Sequence, residues 1–181
     1  MTALQTGPEA APGAVAEAMF ELGRRVLASQ PFSVLLGARL LAFDPSGVEL
    51  EVPITDALRQ QHGFAHGGVV SYLADNALTF AGGAALGAAV VTSEYKINYL
   101  RPALGARLIA RAGVLHAGRN QAVCRCDVFA VADDGAGETL CAVAQGTIAR
   151  LSEGRVKTEG ESETTEGGPN PAESRNLRSA P

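Results

Sequence analysis

The sequence predicts an α+β domain in which a curved antiparallel sheet wraps one long central helix. Three observations carry that prediction. Four runs of strand character follow one another between residues 90 and 151 with only short turns between them, the pattern of antiparallel pairing. The stretch after His66 is apolar on nearly every side (Val69, Val70, Leu73, Ala74, Ala77, Leu78, Phe80, Ala81), so its helix is buried almost all round. The chain is 46% hydrophobic and 19% charged over 181 residues, which supplies one core and leaves length for a tail.

Taken in order, the first dozen residues are rich in Ala, Gly and Pro and are expected to be frayed, giving a flexible N-terminus over 1–13. Val15, Met19, Leu22 and Val26 recur at helical spacing, and Pro31 is expected to end that helix. ARLLAF (38–43) and VELEVPI (48–54) read as strands joined by DPSG, a turn with proline at its second position. The second strand alternates Val48, Leu50, Val52 and Ile54 against Glu49, Glu51 and Pro53, and its proline argues for an edge or a bulge. VVTSEYKINYL (90–100) sets Tyr95, Ile97 and Tyr99 opposite Glu94, Lys96 and Asn98, and Arg101-Pro102 stops it. ARLIARAGVLHA (106–117), a Gly118-Arg119-Asn120 turn and QAVCRCDVFAV (121–131) form a long hairpin, and ETLCAVAQGTIARL (138–151) is the last strand. From Ser152 onward large apolar residues nearly vanish, so ordering entropy is not offset. The expected domain is therefore 14–151, followed by a disordered tail over 152–181.

Several function classes are excluded. The net charge is −4 with no Lys/Arg cluster, which argues against nucleic acid as a partner. No run of 18 apolar residues could span a membrane. The N-terminus lacks a basic segment followed by an apolar one, so a cytoplasmic protein is expected. Three cysteines make an odd count for disulfides. Cys124 and Cys126 sit two apart on one strand face without metal-ligand spacing, and read as packed thiols. No metal and no cofactor is expected.

The informative stretch is QQHGFAHGGVVSYLADNALTFAGG (60–83). Gly67-Gly68 opens the long helix although glycine is a poor helix former. Such a start either lets the helix approach a strand closely or bares backbone N–H groups at the positive end of the helix dipole, where a polarised carbonyl can be held. Asp75 sits in the middle of the apolar helix. A buried carboxylate costs several kcal/mol unless it is paired, protonated or used in chemistry. Thr79, four residues on, shares its face, where it either orients a water or bonds back to its own helix. His66 and Asp75 are nine residues apart, about 900° of turn and roughly 13 Å of rise, so one helix points them to opposite sides. A site on a two-fold axis could combine them from two subunits.

HGFAHGGVVSYLADNALTFAGG, TSEYKINYLRPA and HAGRNQAVCRCDVFAV together strongly resemble the hotdog-fold acyl-CoA thioesterases of the phenylacetate-degradation (PaaI-like) group, over roughly residues 32–151. The resemblance implies two subunits pairing their sheets into one, a homodimer or homotetramer with active sites at the dimer interface, and acyl-CoA as the substrate. The family's Asn/Gly/His-Gly-Gly motif falls on Gln60, Gly63, His66, Gly67 and Gly68, with Gln60 replacing asparagine and Gln61 next door. Its catalytic acid falls on Asp75, its helical hydroxyl on Thr79, and a strand hydroxyl on Thr92 or Ser93. By the same resemblance Gly67 N–H polarises the thioester carbonyl, and Asp75 of the partner activates water or attacks directly. Arg101, Arg119 and Lys96 are candidates for coenzyme A phosphates by position alone. The implied activity is hydrolysis of acyl-CoA to free acid and coenzyme A. The rival readings are a non-catalytic acyl-CoA-binding protein, against which Asp75 counts, and a hydratase, which would want a deeper histidine than His66.

Overall fold

The structure is a computed structural model that describes residues 12–132 and 137–152. Its elements in chain order are α1 (Pro12–Ala28), α2 (Pro31–Leu35), β1 (Arg39–Asp44), β2 (Gly47–Pro53), a 3-10 turn (Asp56–Leu58), α3 (Gly67–Leu86), β3 (Val90–Tyr99), β4 (Arg107–Ala117), β5 (Gln121–Val131) and β6 (Glu138–Arg150). The six strands form one antiparallel sheet in the order β1-β2-β4-β5-β6-β3, curved around α3. The expected α+β class and central helix hold. Of the two segments expected to be flexible, 1–13 and 152–181, only Pro12, Gly13 and Ser152 are among the described residues.

The face that β5 turns toward α3 is built from small residues. Ala122, Cys124, Cys126, Val128 and Ala130 of β5 alternate inward and are all buried. Close approach follows from glycine: a Cβ on Gly82 of α3 would stand 2.5 Å from Ile148 Cβ of β6. The three cysteines are free and buried, as packed thiols should be.

Four expectations need correction. β3 does not join β4 in a meander; α3 carries the chain from β2 across the sheet, so β3 pairs with β6 at the far edge. β2 is not an edge strand, since it lies between β1 and β4; Pro53 is tolerated because it is the strand's last residue. Glu51, expected outside with Glu49, is only 4% exposed because Arg39 and Arg107 cover and pair with it. Pro31 does not end α1, which stops at Ala28; it occupies the first turn of α2, where a missing N–H costs nothing.

α1 also turns its expected face outward. Val15, Leu22 and Val26 are 40%, 45% and 37% exposed, while Gly23 and Leu27 are buried against the sheet. Gly23 selects this face, because a Cβ there would already stand 2.8 Å from Leu40 and Phe43.

Candidate active site

α3 starts on His66, whose backbone is extended (φ −62°, ψ 138°) and whose Nδ1 accepts from Gly68 N–H at 2.9 Å. That side-chain cap satisfies one bare donor of the first turn. A Cβ on Gly68 would stand 3.0 Å from the same Nδ1, so glycine is what lets the imidazole fold over the helix end. The Gly68 N–H is therefore occupied. The Gly67 N–H, in contrast, meets no acceptor among the described residues, and it sits at the positive end of a 20-residue helix.

Gly67 lines a cleft of about 560 Å³ together with Gln60, Phe64, His66, Tyr99 and Arg101. The loop beneath it is held by its own bonds. Gly63 adopts a φ of +87° and donates to Gln60 O at 2.9 Å, while Arg59 Nη1 donates to Gly63 O at 2.7 Å. Gln60 Oε1 accepts from His62 N–H at 3.0 Å, which leaves only the NH₂ end of that amide uncommitted among the described residues. Tyr99 Oη donates to Gly67 O and Arg101 Nη1 to Leu140 O, each at 3.1 Å. Cys141 also borders this cleft, but burial pushes its thiol up to about 11 and its S–H donates to Val128 O, so it is no thiolate nucleophile near neutral pH.

Asp75 is half-buried in this chain rather than buried, and it does have a partner. Thr92 Oγ1 of β3 donates to its Oδ1 at 2.7 Å. Thr79 Oγ1 donates to Asp75 O at 2.9 Å and lies 2.9 Å from Thr92 Oγ1. With the carboxylate ionised, the Thr92 proton is committed to Oδ1, so the Thr79 proton is shared between Asp75 O and Thr92 Oγ1. Thr79 therefore bonds back to its own helix and also lies against the strand hydroxyl. A register shift between Thr92 and Glu94 puts Thr92 on the helix side and leaves Ser93 exposed, which decides between the two hydroxyls.

The remaining candidates do not converge. Asp75, Thr79 and Thr92 are not part of the cleft at the helix start, so one chain does not bring His66 and Gly67 together with the carboxylate. Arg119 lines a separate hollow with His116 and Arg150, and Lys96 sits beside Arg125 on the outer sheet face. Among the described residues no three His, Cys, Asp or Glu side chains gather as metal ligands, and no helix is long and apolar enough to cross a membrane.

One buried polar cluster escaped the sequence reading. Asn76 is 9% exposed and donates to Tyr72 Oη at 3.0 Å, Gln30 Oε1 at 3.3 Å and Ser33 Oγ at 3.4 Å. Tyr72 Oη donates to Ser33 Oγ at 2.6 Å, and burial raises its pKa against the opposing pull of Ser33 and Asn76. The cluster ties α2 and its N-cap Gln30 to the middle of α3, one residue from Asp75. An asparagine beside the aspartate on an otherwise apolar helix was the available signal.

Residues 62–136 match the model of the thioesterase superfamily. A Haemophilus influenzae protein named "Putative esterase" is 34% identical over 95 residues, 51% of this chain and 69% of its own length. The chain belongs to the thioesterase superfamily. A thioesterase family protein from Silicibacter pomeroyi is 39% identical, covering 71% of this chain and 94% of its own, with a TM-score of 0.65. The E. coli PaaI protein from the phenylacetic acid degradation operon superposes at a TM-score of 0.66 over 76% of this chain and 96% of its own; at 23% identity it shows the shared hotdog fold alone. Family membership places the chain among hydrolases of the thioesterase type.

Proposed function

We propose that the protein hydrolyses acyl-CoA thioesters to free acid and coenzyme A, at sites formed between two copies of the chain. The observation that carries this reading is a pair of complementary open groups: the Gly67 N–H without an acceptor and the Asp75 carboxylate anchored at Oδ1 by Thr92, its Oδ2 unbonded among the described residues. A donor at a helix start stabilises the oxyanion that forms when a thioester carbonyl is attacked. A carboxylate with one free oxygen either takes a proton from water or attacks the carbonyl itself. Because one helix separates the two groups, the donor and the carboxylate come from different subunits. The ten-residue edge strand β3, which carries Thr92, supports that assembly, since no strand among the described residues pairs with its outer side and a second copy can do so. Arg101, on the rim of the helix-start cleft, is the cation best suited to coenzyme A phosphates; Arg119 and Lys96 lie in other hollows.

Release of coenzyme A from a panel of acyl-CoA thioesters tests the proposal. Wild type should turn over, and Asp75→Asn should lose about 10²-fold or more in kcat while acyl-CoA binding survives. Turnover at the wild-type rate by Asp75→Asn would remove the carboxylate from the reaction.

A further inference from the structure

Between α1 and the C-terminal half of α3 lies an apolar cavity of about 320 Å³, walled by Met19, Leu22, Val26, Phe80, Ala84 and Val90. Its α1 wall carries Leu22 and Val26 of the apolar stripe that the helix leaves out of the core. Its floor is made of small residues, Gly83 and Ala84 of α3 and Gly87 just past its end, so space stays open where longer side chains would fill it. Packing alone does not demand glycine there: a Cβ on Gly83 would meet Val90 at an ordinary 3.5 Å. One end of the cavity is Thr79, whose hydroxyl is bonded to Thr92 and through it to Asp75. The cavity begins where the carboxylate site ends.

We infer that this cavity receives the acyl chain of the thioester, its methylenes running from Asp75 past Thr79 toward Gly87. The inference rests on the proposed thioesterase reading of the same site and names its substrate class: unbranched aliphatic acyl groups of medium length. Thr79 and Gly87 are eight residues apart, about 12 Å along the helix, which is the reach of roughly ten carbons. The lining holds no cation. Gln30 is its one amide; the Oε1 of that amide is taken by Ser33 at 2.5 Å and by Asn76, which leaves its NH₂ as the one side-chain amide donor there. A second carboxylate on the acyl group would find no opposite charge, which disfavours such substrates.

The test uses the full chain, a series of acyl-CoA thioesters from acetyl to decanoyl, and the non-hydrolysable thioethers S-ethyl- and S-decyl-coenzyme A. Calorimetric affinity for the thioethers should rise by up to about fourfold per added methylene, and kcat/KM should climb with chain length in the same way. Ala84→Trp, at an exposed position of α3, fills the cavity and should cut the decyl-to-ethyl affinity ratio at least tenfold; Leu22→Gln should lower it from the opposite wall. S-decyl-coenzyme A binding no tighter than the S-ethyl compound would overturn the inference, as would variants that weaken both ligands equally. Chain-length-dependent binding without hydrolysis would uphold the cavity and sink the thioesterase reading. Hydrolysis indifferent to chain length would do the reverse.

Discussion

Gly67→Pro and Asp75→Asn should each silence the protein, yet together restore about a quarter of wild-type activity when their subunits mix at random. The proline substitution is unusually clean here. The Gly67 N–H has no acceptor among the described residues, so proline removes a donor without breaking a bond. His66 already holds ψ 138°, the extended conformation that a residue before proline requires, and Gly67 is the first helical residue, where proline is tolerated. An added Cβ would lie 3.7 Å from the Tyr99 ring, an ordinary contact. Loss of one oxyanion donor lowers kcat by about 10²–10³, and loss of the carboxylate by about 10² or more. If each site takes Gly67 from one copy and Asp75 from the other, a mixed dimer has one site with both lesions and one with neither. Random pairing makes about half the dimers mixed, so about a quarter of all sites are intact. Circular dichroism and gel filtration establish that each variant folds and dimerises before the two are co-refolded and assayed for thiol release. A mixture with verified subunit exchange that remains as inactive as its parents would refute the shared site.

Three further outcomes follow from particular contacts. Thr92→Val removes the hydroxyl on Asp75 Oδ1. A hydrogen bond to a charged group contributes about 1.5–3 kcal/mol; water can replace part of it at this half-buried site, so kcat should fall about tenfold and recover in Thr92→Ser. Equal activity of the valine and serine variants would show that the hydroxyl does not act on the carboxylate. Gly82→Ala places a Cβ 2.5 Å from Ile148 Cβ, with Cγ2 and Cγ1 at 2.6 and 2.7 Å. The overpacking cost of about 1–3 kcal/mol outweighs the gain in helix propensity of up to about 1 kcal/mol, so the melting temperature should drop by a few degrees; a rise would mean that α3 has room to shift. Glu138 is held below the usual carboxylate range chiefly by its hydrogen bonds to Arg111. A depressed folded-state pKa stabilises the protein above the ordinary value near 4.5 and loses that effect as pH falls through the folded-state value. The stability gap between wild type and Glu138→Gln, up to about 1 kcal/mol for so exposed a pair, should therefore be present at pH 6 and vanish in acid titration. A gap that keeps its size through the whole acid titration of the carboxylate would assign it to packing.

By itself the sequence determined where the long helix and the six strands lie and which face of β5 is buried. Periods of 2 and 3.6 are local properties, so the inward Cys124 and Cys126 and the all-round apolar α3 were legible, as was the His66-Gly67-Gly68 start of that helix. The wide separation of His66 from Asp75 was also legible, because helical rise and twist fix it whatever the surroundings. Tertiary structure alone decided what depends on distant partners. β3 pairs with β6 because α3 crosses the sheet, and that crossing leaves no mark on the local period of β3. Thr92 rather than Ser93 meets Asp75 because a bulge between Thr92 and Glu94 breaks the strand's alternation, and parity is all that the sequence pattern carries. The α1 stripe of Val15, Leu22 and Val26 faces outward because Gly23 packs against Leu40 and Phe43. A periodic pattern reports that a helix has an apolar face; only the neighbouring surface decides whether that face meets the core or is left to line a cavity.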